Sequence, residues 1–459
     1  MTKKPNIIVV GMCDTKFKEI QFLAEMVASY GGNPIIMNMS LGRDVDWADV
    51  SLDEVLASNG TNKAEVFAAP RSTAIEMVGN AGAVKIMDLY NEGKVDGAIS
   101  WAGSVGTTTV CYALRALPFG VPKIMMTDMC SSDVSMWIGN KDIYIMNPTA
   151  ELGINIVTRK MVMNATAAIV AMAQTGEVPP EFAKPLVALT AYGTTTPTSN
   201  ACAKHMAERG WDSITIHQVG TGATMEDLIR SGHITAIFDL TIGELTNNMY
   251  NSPYAISKHW KGERLTAASD IGIPQIVCPG GIDQSACGAI NSLPKEYLDD
   301  FKCGKRKGFH DTKEPYIHNA GVTIMVPTLD EIEQLGNYIA EKLNNTKGPT
   351  CFIIPMQGWS AYDQRAEIAT RARGWSEGNG DGPTWDPDPE NPTWSVRSTT
   401  IRRVLKEKFN KANPNLDFIV TDMHIIDPEF AAFCCRVMDD MLDGKWKKGM
   451  YRDVPAVIE

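Results

Sequence analysis

Gly97-Ala98-Ile99-Ser100-Trp101-Ala102-Gly103-Ser104-Val105-Gly106-Thr107-Thr108-Thr109 is the stretch that decides the fold. An apolar run, Val95 to Ser100, leads into a loop of glycines and hydroxyl residues, and a helical pattern follows from Val110 to Ala116. Strand, loop and helix in that order make one unit of a parallel α/β sheet, a fold that binds ligands beyond the carboxyl ends of its strands. Glycine lets the backbone approach a ligand closely. Hydroxyls and free N–H groups at a helix N-terminus suit phosphate or carboxylate oxygens. Two readings of 103–107 stand: a seat for an anion, above all a phosphate, and a tight turn with no ligand.

The same rhythm extends outward. Ile7–Val10 reads as a strand, Lys18–Ser29 as an amphipathic helix, Asn33–Asn38 as a strand, Ala74–Glu92 as a helix and Lys123–Thr127 as a strand. This alternation predicts a mainly parallel sheet with helices on both faces. A second loop at a strand end is Gly11-Met12-Cys13-Asp14-Thr15-Lys16. Its Lys16 balances phosphate charge or is a solvent-exposed lysine at a helix start. Asp14 hydrogen-bonds a ribose or a metal-bound water, or caps the next helix. Arg71, just after Pro70, forks onto phosphate oxygens or makes a surface ion pair.

Three prolines within 177–185 read as a linker, and beyond it the pattern begins again. Leu186–Ala191 is a strand, Gly193-Thr194-Thr195-Thr196-Pro197 a loop, Asn200–Glu208 a helix and Ser213–His217 a strand; Ile234–Asp239 then mirrors Val95–Ser100. The expectation is two similar α/β domains, 1–180 and 185–459, with a ligand cleft between them. The Gly- and Pro-rich stretch at 375–394, carrying Trp375, Trp385 and Trp394, reads as an inserted loop whose tryptophans pack on the surface or on another subunit.

Composition narrows the class. The 459 residues are 44% hydrophobic with a net charge of −11. That charge argues against nucleic acid or an anionic membrane as a main partner, while leaving room for a small anionic ligand. Ten cysteines without Cys-x-x-Cys point to a reduced, cytoplasmic setting. Strand residues begin at Asn6, which leaves no room for a signal peptide, and the apolar segment Met161–Ala173 reads as a buried helix rather than a membrane span. None of the seven histidines sits in His-Glu-x-x-His, so no zinc-protease site is legible and metal use is open. Ser360 lacks the Gly-x-Ser-x-Gly elbow of a hydrolase nucleophile.

Gly11-x-x-Asp14-Thr15-Lys16, Arg71-x-x-Ala74-Ile75 and Gly103-Ser104-Val105-Gly106-Thr107 resemble, in order, motifs of the Tm-one-like ATP-binding domain family. The second half is similar too, in Gly193-Thr194-Thr195-Thr196-Pro197, Phe238-Asp239-Leu240-Thr241-x-x-Glu244, Gly272-Ile273-Pro274-Gln275 with Gly281-Ile282-Asp283, Pro355-Met356-Gln357-Gly358-Trp359-Ser360 with Asp363, and Asp422-Met423-His424-Ile425-Ile426-Asp427. The resemblance implies two Rossmann-like domains, with ATP bound in the first through Asp14, Thr15, Lys16, Arg71 and the residues Gly103, Ser104, Val105, Gly106 and Thr107, and a weaker contact from Ser40. Mg²⁺ would accompany the nucleotide.

In the second half, Asp239 ends a predicted strand, and Asp239, Glu244 and Asp283 with His424 or His318 form the candidate catalytic set. Three functions fit. The first is an ATP-binding protein, an enzyme on a small anionic metabolite in the inter-domain cleft. The second is a nucleotide-independent lyase, hydrolase or isomerase of a small sugar acid. The third is a nucleotide-regulated binding module. The resemblance and the tryptophan loop together predict a homo-oligomer, most simply a dimer.

Overall fold

The computed structural model describes residues 4–176, 178–179, 183–255, 264–308, 313–368 and 380–459. The chain divides into two compact units, Met1–Pro179 and Pro180–Glu459, each built on its own parallel sheet. The divide falls in the proline-rich stretch, of which Glu177 and residues 180–182 lie outside the described residues.

In the first unit β1 (Asn6–Gly11), β2 (Asn33–Asn38), β3 (Gly97–Trp101), β4 (Lys123–Met126) and β5 (Tyr144–Met146) pair in the order β2-β1-β3-β4-β5, all parallel. The pleat sends alternate side chains of β1 to opposite faces. Ile7 and Val9 join the core under the helices Phe17–Ser29 and Ile156–Ala173. Ile8 and Val10 join the core under Arg71–Asn91 and Ser104–Ala116. A sheet covered on both faces needs strands without polar alternation, which explains why all five residues of β3 are buried. Ile156–Ala173 is the one described helix long and apolar enough to cross a membrane, and its Val162, Ala165, Ile169 and Val170 pack into this core.

In the second unit β6 (Leu186–Ala191), β7 (Asp212–His217), β8 (Ala236–Thr241) and β9 (Gln275–Gly280) share a parallel sheet with β13 (Thr350–Pro355) and β14 (Leu416–Thr421). Between them β10 (Ser285–Cys287), β11 (Tyr316–Asn319) and β12 (Val322–Met325) form a small antiparallel sheet. The six-stranded order β14-β13-β9-β8-β6-β7, read back from β7, is that of the first unit with one strand added. The repeated strand-loop-helix pattern thus corresponds to a repeated topology.

Two sequence expectations change. The helix after β3 does not wait until Val110: Gly103 is its N-cap and Ser104 its first residue. Glycine and three threonines are poor interior helix formers, so the first turn reads as a loop. The tryptophans at 375–394 do not wait for another subunit. Trp385 is buried, and Trp394 packs beside the core around Phe352 and Trp359 while its Nε1 donates to Asp422 at 2.8 Å. Trp375 lies outside the described residues.

Candidate functional site

A strand order 2-1-3-4-5 reverses direction between β1 and β3, and the crevice beyond their carboxyl ends is where such sheets bind ligands. A cavity of 530 Å³ lies there. Asp14, Thr15 and Lys16 line it from the loop after β1, and Gly103, Ser104, Val105 and Gly106 from the turn after β3. Arg71, first residue of its helix, reaches it as well. Apolar wall comes from Leu41, Val66 and Phe67. Eight of the ten sequence-predicted ligand residues therefore share one cavity.

Each has a defined state. The backbone N–H groups of Ser104, Val105 and Gly106 have no acceptor among the described residues, whereas Thr107 N already donates to Gly103 O at 2.8 Å. These are the orphan donors of a helix N-terminus, with the positive end of the helix dipole behind them. Lys16 is 5% exposed, which removes the reading of a solvated lysine. Its Nζ donates to the Glu151 carbonyl at 2.5 Å and lies 3.7 Å from that residue's carboxylate. Burial pushes the Lys16 pKa below its usual value, and the Glu151 carboxylate pulls it back. Arg71 is exposed and has no acidic partner within ion-pair distance among the described residues. Asp14 does not cap the helix, whose N-cap is Lys16. One Asp14 oxygen accepts from Gly42 N at 3.2 Å, and the other, buried, has no donor.

Ser40 and Thr107 stand behind the cavity. Ser40 is fully buried; its Oγ accepts from Asp14 N at 3.0 Å and donates to Asn38 at 2.6 Å, so it holds the Asp14 loop. Thr107 Oγ1 bonds Thr127 Oγ1 at 2.9 Å and ties the helix to the end of β4. The sequence reading missed Glu151, which follows β5 on the same sheet edge and enters this wall.

The four proposed catalytic residues do not form one group. Asp239 and Glu244 converge, but on a cation. Arg264, fully buried, donates to both Asp239 oxygens at 2.8 and 3.0 Å, to Glu244 at 3.1 Å and to Glu226 at 3.1 Å. Glu244 also accepts from Gly220 N and Gly222 N at 2.8 and 3.0 Å. Burial raises the Glu244 pKa against the pull of Arg264, and the three carboxylates outweigh burial to raise that of Arg264. Asp283 belongs to a second buried cluster. Its Oδ2 accepts from Ser360 at 2.7 Å and Thr384 at 2.8 Å, while its Oδ1 has no donor. Nearby Asp363 accepts from Ser395 at 2.9 Å, and burial together with the Asp283 charge pushes its pKa up to about 7. His424 is fully buried too: its Nδ1 accepts from Ile426 N, so its Nε2 donates to Asp363 O at 3.0 Å.

All four residues are at most 2% exposed, and none lines a described cavity. His318 does line one, of 430 Å³, where its Nδ1 lies 3.2 Å from Tyr362 Oη. His310 lies outside the described residues. At the corresponding edge of the second unit Tyr192 packs on Gly243, where a Cβ would lie 2.6 Å from its Oη, and Tyr192, Gly193, Thr194 and His217 line that 430 Å³ cavity. Among the described residues no cluster of three His, Cys, Asp or Glu could hold a metal ion.

Comparison with known proteins follows the same two-part division. The model of the "Uncharacterised protein family (UPF0261) N-terminal domain" matches residues 5–177, and that of the corresponding C-terminal domain matches 184–375. A "UPF0261 protein" of Clostridium tetani is 33% identical over 80% of this chain and 87% of its own length. A UPF0261 protein of Rhizobium meliloti is 29% identical over 93% of this chain and 96% of its own. The "ToMV resistance protein Tm-1(GCR237)" of Solanum lycopersicum is 28% identical over 79% of this chain, and the match spans 49% of that longer protein.

Proposed function

The chain belongs to the uncharacterised family UPF0261, and from the geometry of its first unit we propose that it binds ATP at the crevice between β1 and β3. The observation that carries this reading is the set of three unpaired N–H groups at Ser104, Val105 and Gly106, in a cavity that also holds Lys16 and Arg71. Three amides and two cations converging at a helix N-terminus form a phosphate site. The cavity volume of 530 Å³ lies within the range of roughly 300–1,000 Å³ usual for small-molecule sites. Leu41, Val66 and Phe67 supply an apolar surface for a base. The unpaired Asp14 oxygen takes a ribose hydroxyl or a water carried by Mg²⁺. The metal would neutralise phosphate charge and would come with the nucleotide, because the two carboxylates of the cavity, Asp14 and Glu151, are too few to form a cage.

The enzyme part of the reading lacks a comparable support, since Asp239, Glu244, Asp283 and His424 line none of the described cavities. Calorimetry with ATP and Mg²⁺ tests the proposal. Saturable binding that falls roughly tenfold to a hundredfold in Lys16→Ala or Arg71→Ala supports it, the loss expected for one charge-assisted contact. Absence of binding, or binding indifferent to both substitutions, overturns it.

A further inference from the structure

A protein of net charge −11 places five cations around one cavity of its second unit. The cavity, 420 Å³ in volume, is lined by Lys305, Arg306, Lys307, Lys313 and Arg397, with Asp386 as the one acid in its wall. Four parts of the chain build it: the segment after the helix Lys295–Lys302, the Pro327-Thr328 link between β12 and the helix Leu329–Leu343, the segment at Asp386, and the first turn of the helix Val396–Lys408.

The two arginines are 3% and 2% exposed. Arg306 is held rigidly: its two terminal nitrogens fork onto Glu331 at 2.7 Å each, and one also donates to Val326 O and Tyr250 Oη at 2.9 Å. Arg397 donates to the Thr384 carbonyl and lies 4.0 Å from Asp363. In both, the buried Nε–H has no acceptor. A buried donor left unpaired costs about 1–3 kcal/mol; neither Nε is in contact with solvent, so the charge of the two arginines reaches the cavity through the rest of each guanidinium, beside the lysines. Lys305 and Lys307 are only partly neutralised, by Asp300 at 3.1 Å and Asp386 at 3.2 Å, and both ammonium groups remain within reach of solvent.

We propose that this cavity is a second anion site, independent of the nucleotide site, which takes a small multiply charged oxyanion. Planar guanidinium groups with fixed donors recognise phosphate and carboxylate oxygens, and the lysines add charge at the mouth. The shared ligand chemistry is a cluster of oxyanion groups, either a phosphate ester or a polycarboxylate.

The test is calorimetric titration of the full chain with pyrophosphate and, separately, with citrate. Lys305 and Lys313 are both exposed, so Lys305→Glu/Lys313→Glu reverses charge while leaving Arg306 and Arg397 in place. Its melting temperature establishes that it folds. The expected result is saturable binding of at least one probe that weakens roughly tenfold or more in the double variant and is retained in Lys16→Ala. Retention in Lys16→Ala separates this site from the one in the first unit. The probe that binds tells a phosphate site from a carboxylate site. Absence of saturable binding by either probe up to about 10 mM, a range weaker than ordinary metabolite affinities, overturns the proposal. Binding unchanged in the folded double variant, or lost equally in Lys16→Ala, overturns it as well.

Discussion

The carboxylate of Glu151 lies over the α-carbon of Gly103, in the space that a Cβ at position 103 would fill. It carries a negative charge to the N-terminus of the helix Ser104–Ala116 and to Lys16, the two features that would otherwise face an incoming anion. Its side chain is half exposed, and its backbone carbonyl rather than its carboxylate holds Lys16 at hydrogen-bond distance. The lysine is therefore held by the Glu151 backbone, and the carboxylate adds only its charge.

Removing that charge strengthens anion binding. Glu151→Gln takes away one like charge near the phosphate position, worth about 1 kcal/mol at a solvated site, or roughly fivefold in Kd for ATP. Calorimetry at low and high salt measures it. The gain shrinks as salt screens the repulsion, and an unchanged or weaker affinity contradicts a competing role for Glu151.

Two glycines three residues apart respond differently to valine. At Gly103 the neighbour is the mobile end of Glu151, so Gly103→Val keeps the fold and fills the anion position; ATP binding disappears while the melting temperature stays near that of the parent. At Gly106 a Cβ meets Ala102 Cβ at 2.6 Å and Met12 Cγ at 2.9 Å. The alanine carbon is tied directly to backbone, so Gly106→Val costs about 1–3 kcal/mol of stability through overpacking. Thermal denaturation of both variants, alongside calorimetry, separates the two effects.

The sequence was most legible where one pattern ran unbroken. Asn33–Asn38 and Leu186–Ala191 read as strands to the residue, because an apolar run bounded by Gly or Pro has one solution in an alternating α/β chain. The grouping of Asp14, Lys16 and Gly103 in one cavity was legible because they follow adjacent parallel strands, which bring loops distant in sequence to one edge. In the second unit the environment of the acids was not legible, for a different reason. Asp239 and Glu244 look like strand-end acids, and nothing in their spacing shows that Arg264 lies between them and is 0% exposed at its side chain. A charged residue that turns inward gives no periodic signal, so the counter-charge between these acids was invisible. Trp385 carries the same lesson: glycine and proline around it signal a loop, not whether that loop is packed inside.

Arg264 is expected to be the most sensitive cation of the second unit. Arg264→Met leaves Asp239, Glu244 and Glu226 buried without a counter-charge, and breaking a buried pair costs about 3–5 kcal/mol. Arg264→Lys falls short as well, because one ammonium cannot reproduce a fork that serves three carboxylates. If Met destabilises too far for purification, Lys supplies the measurement in urea denaturation. A Lys variant as stable as the parent contradicts the account.

Asp283 and Asp363 give the protein an acid-side stability term. Burial raises both carboxyl groups, and Asp363 reaches about 7 with help from the Asp283 charge. An aspartate whose pKa is higher folded than unfolded binds more protons in the native state, so its contribution is full below the unfolded value, near 4, and is lost as pH rises through the folded value. Each such proton tilts stability by up to about 1.4 kcal/mol per pH unit within that window. Unfolding free energy from denaturant melts should therefore fall from pH 4 to pH 7 by this pair's share. Asp283→Asn keeps an oxygen for Ser360 and Thr384 but removes the charge that pushes Asp363 upward. In that variant the Asp363 pKa moves down and the slope between pH 5 and 7 flattens relative to the parent. An Asp283→Asn profile parallel to the parent's across pH 4 to 8 contradicts the coupling.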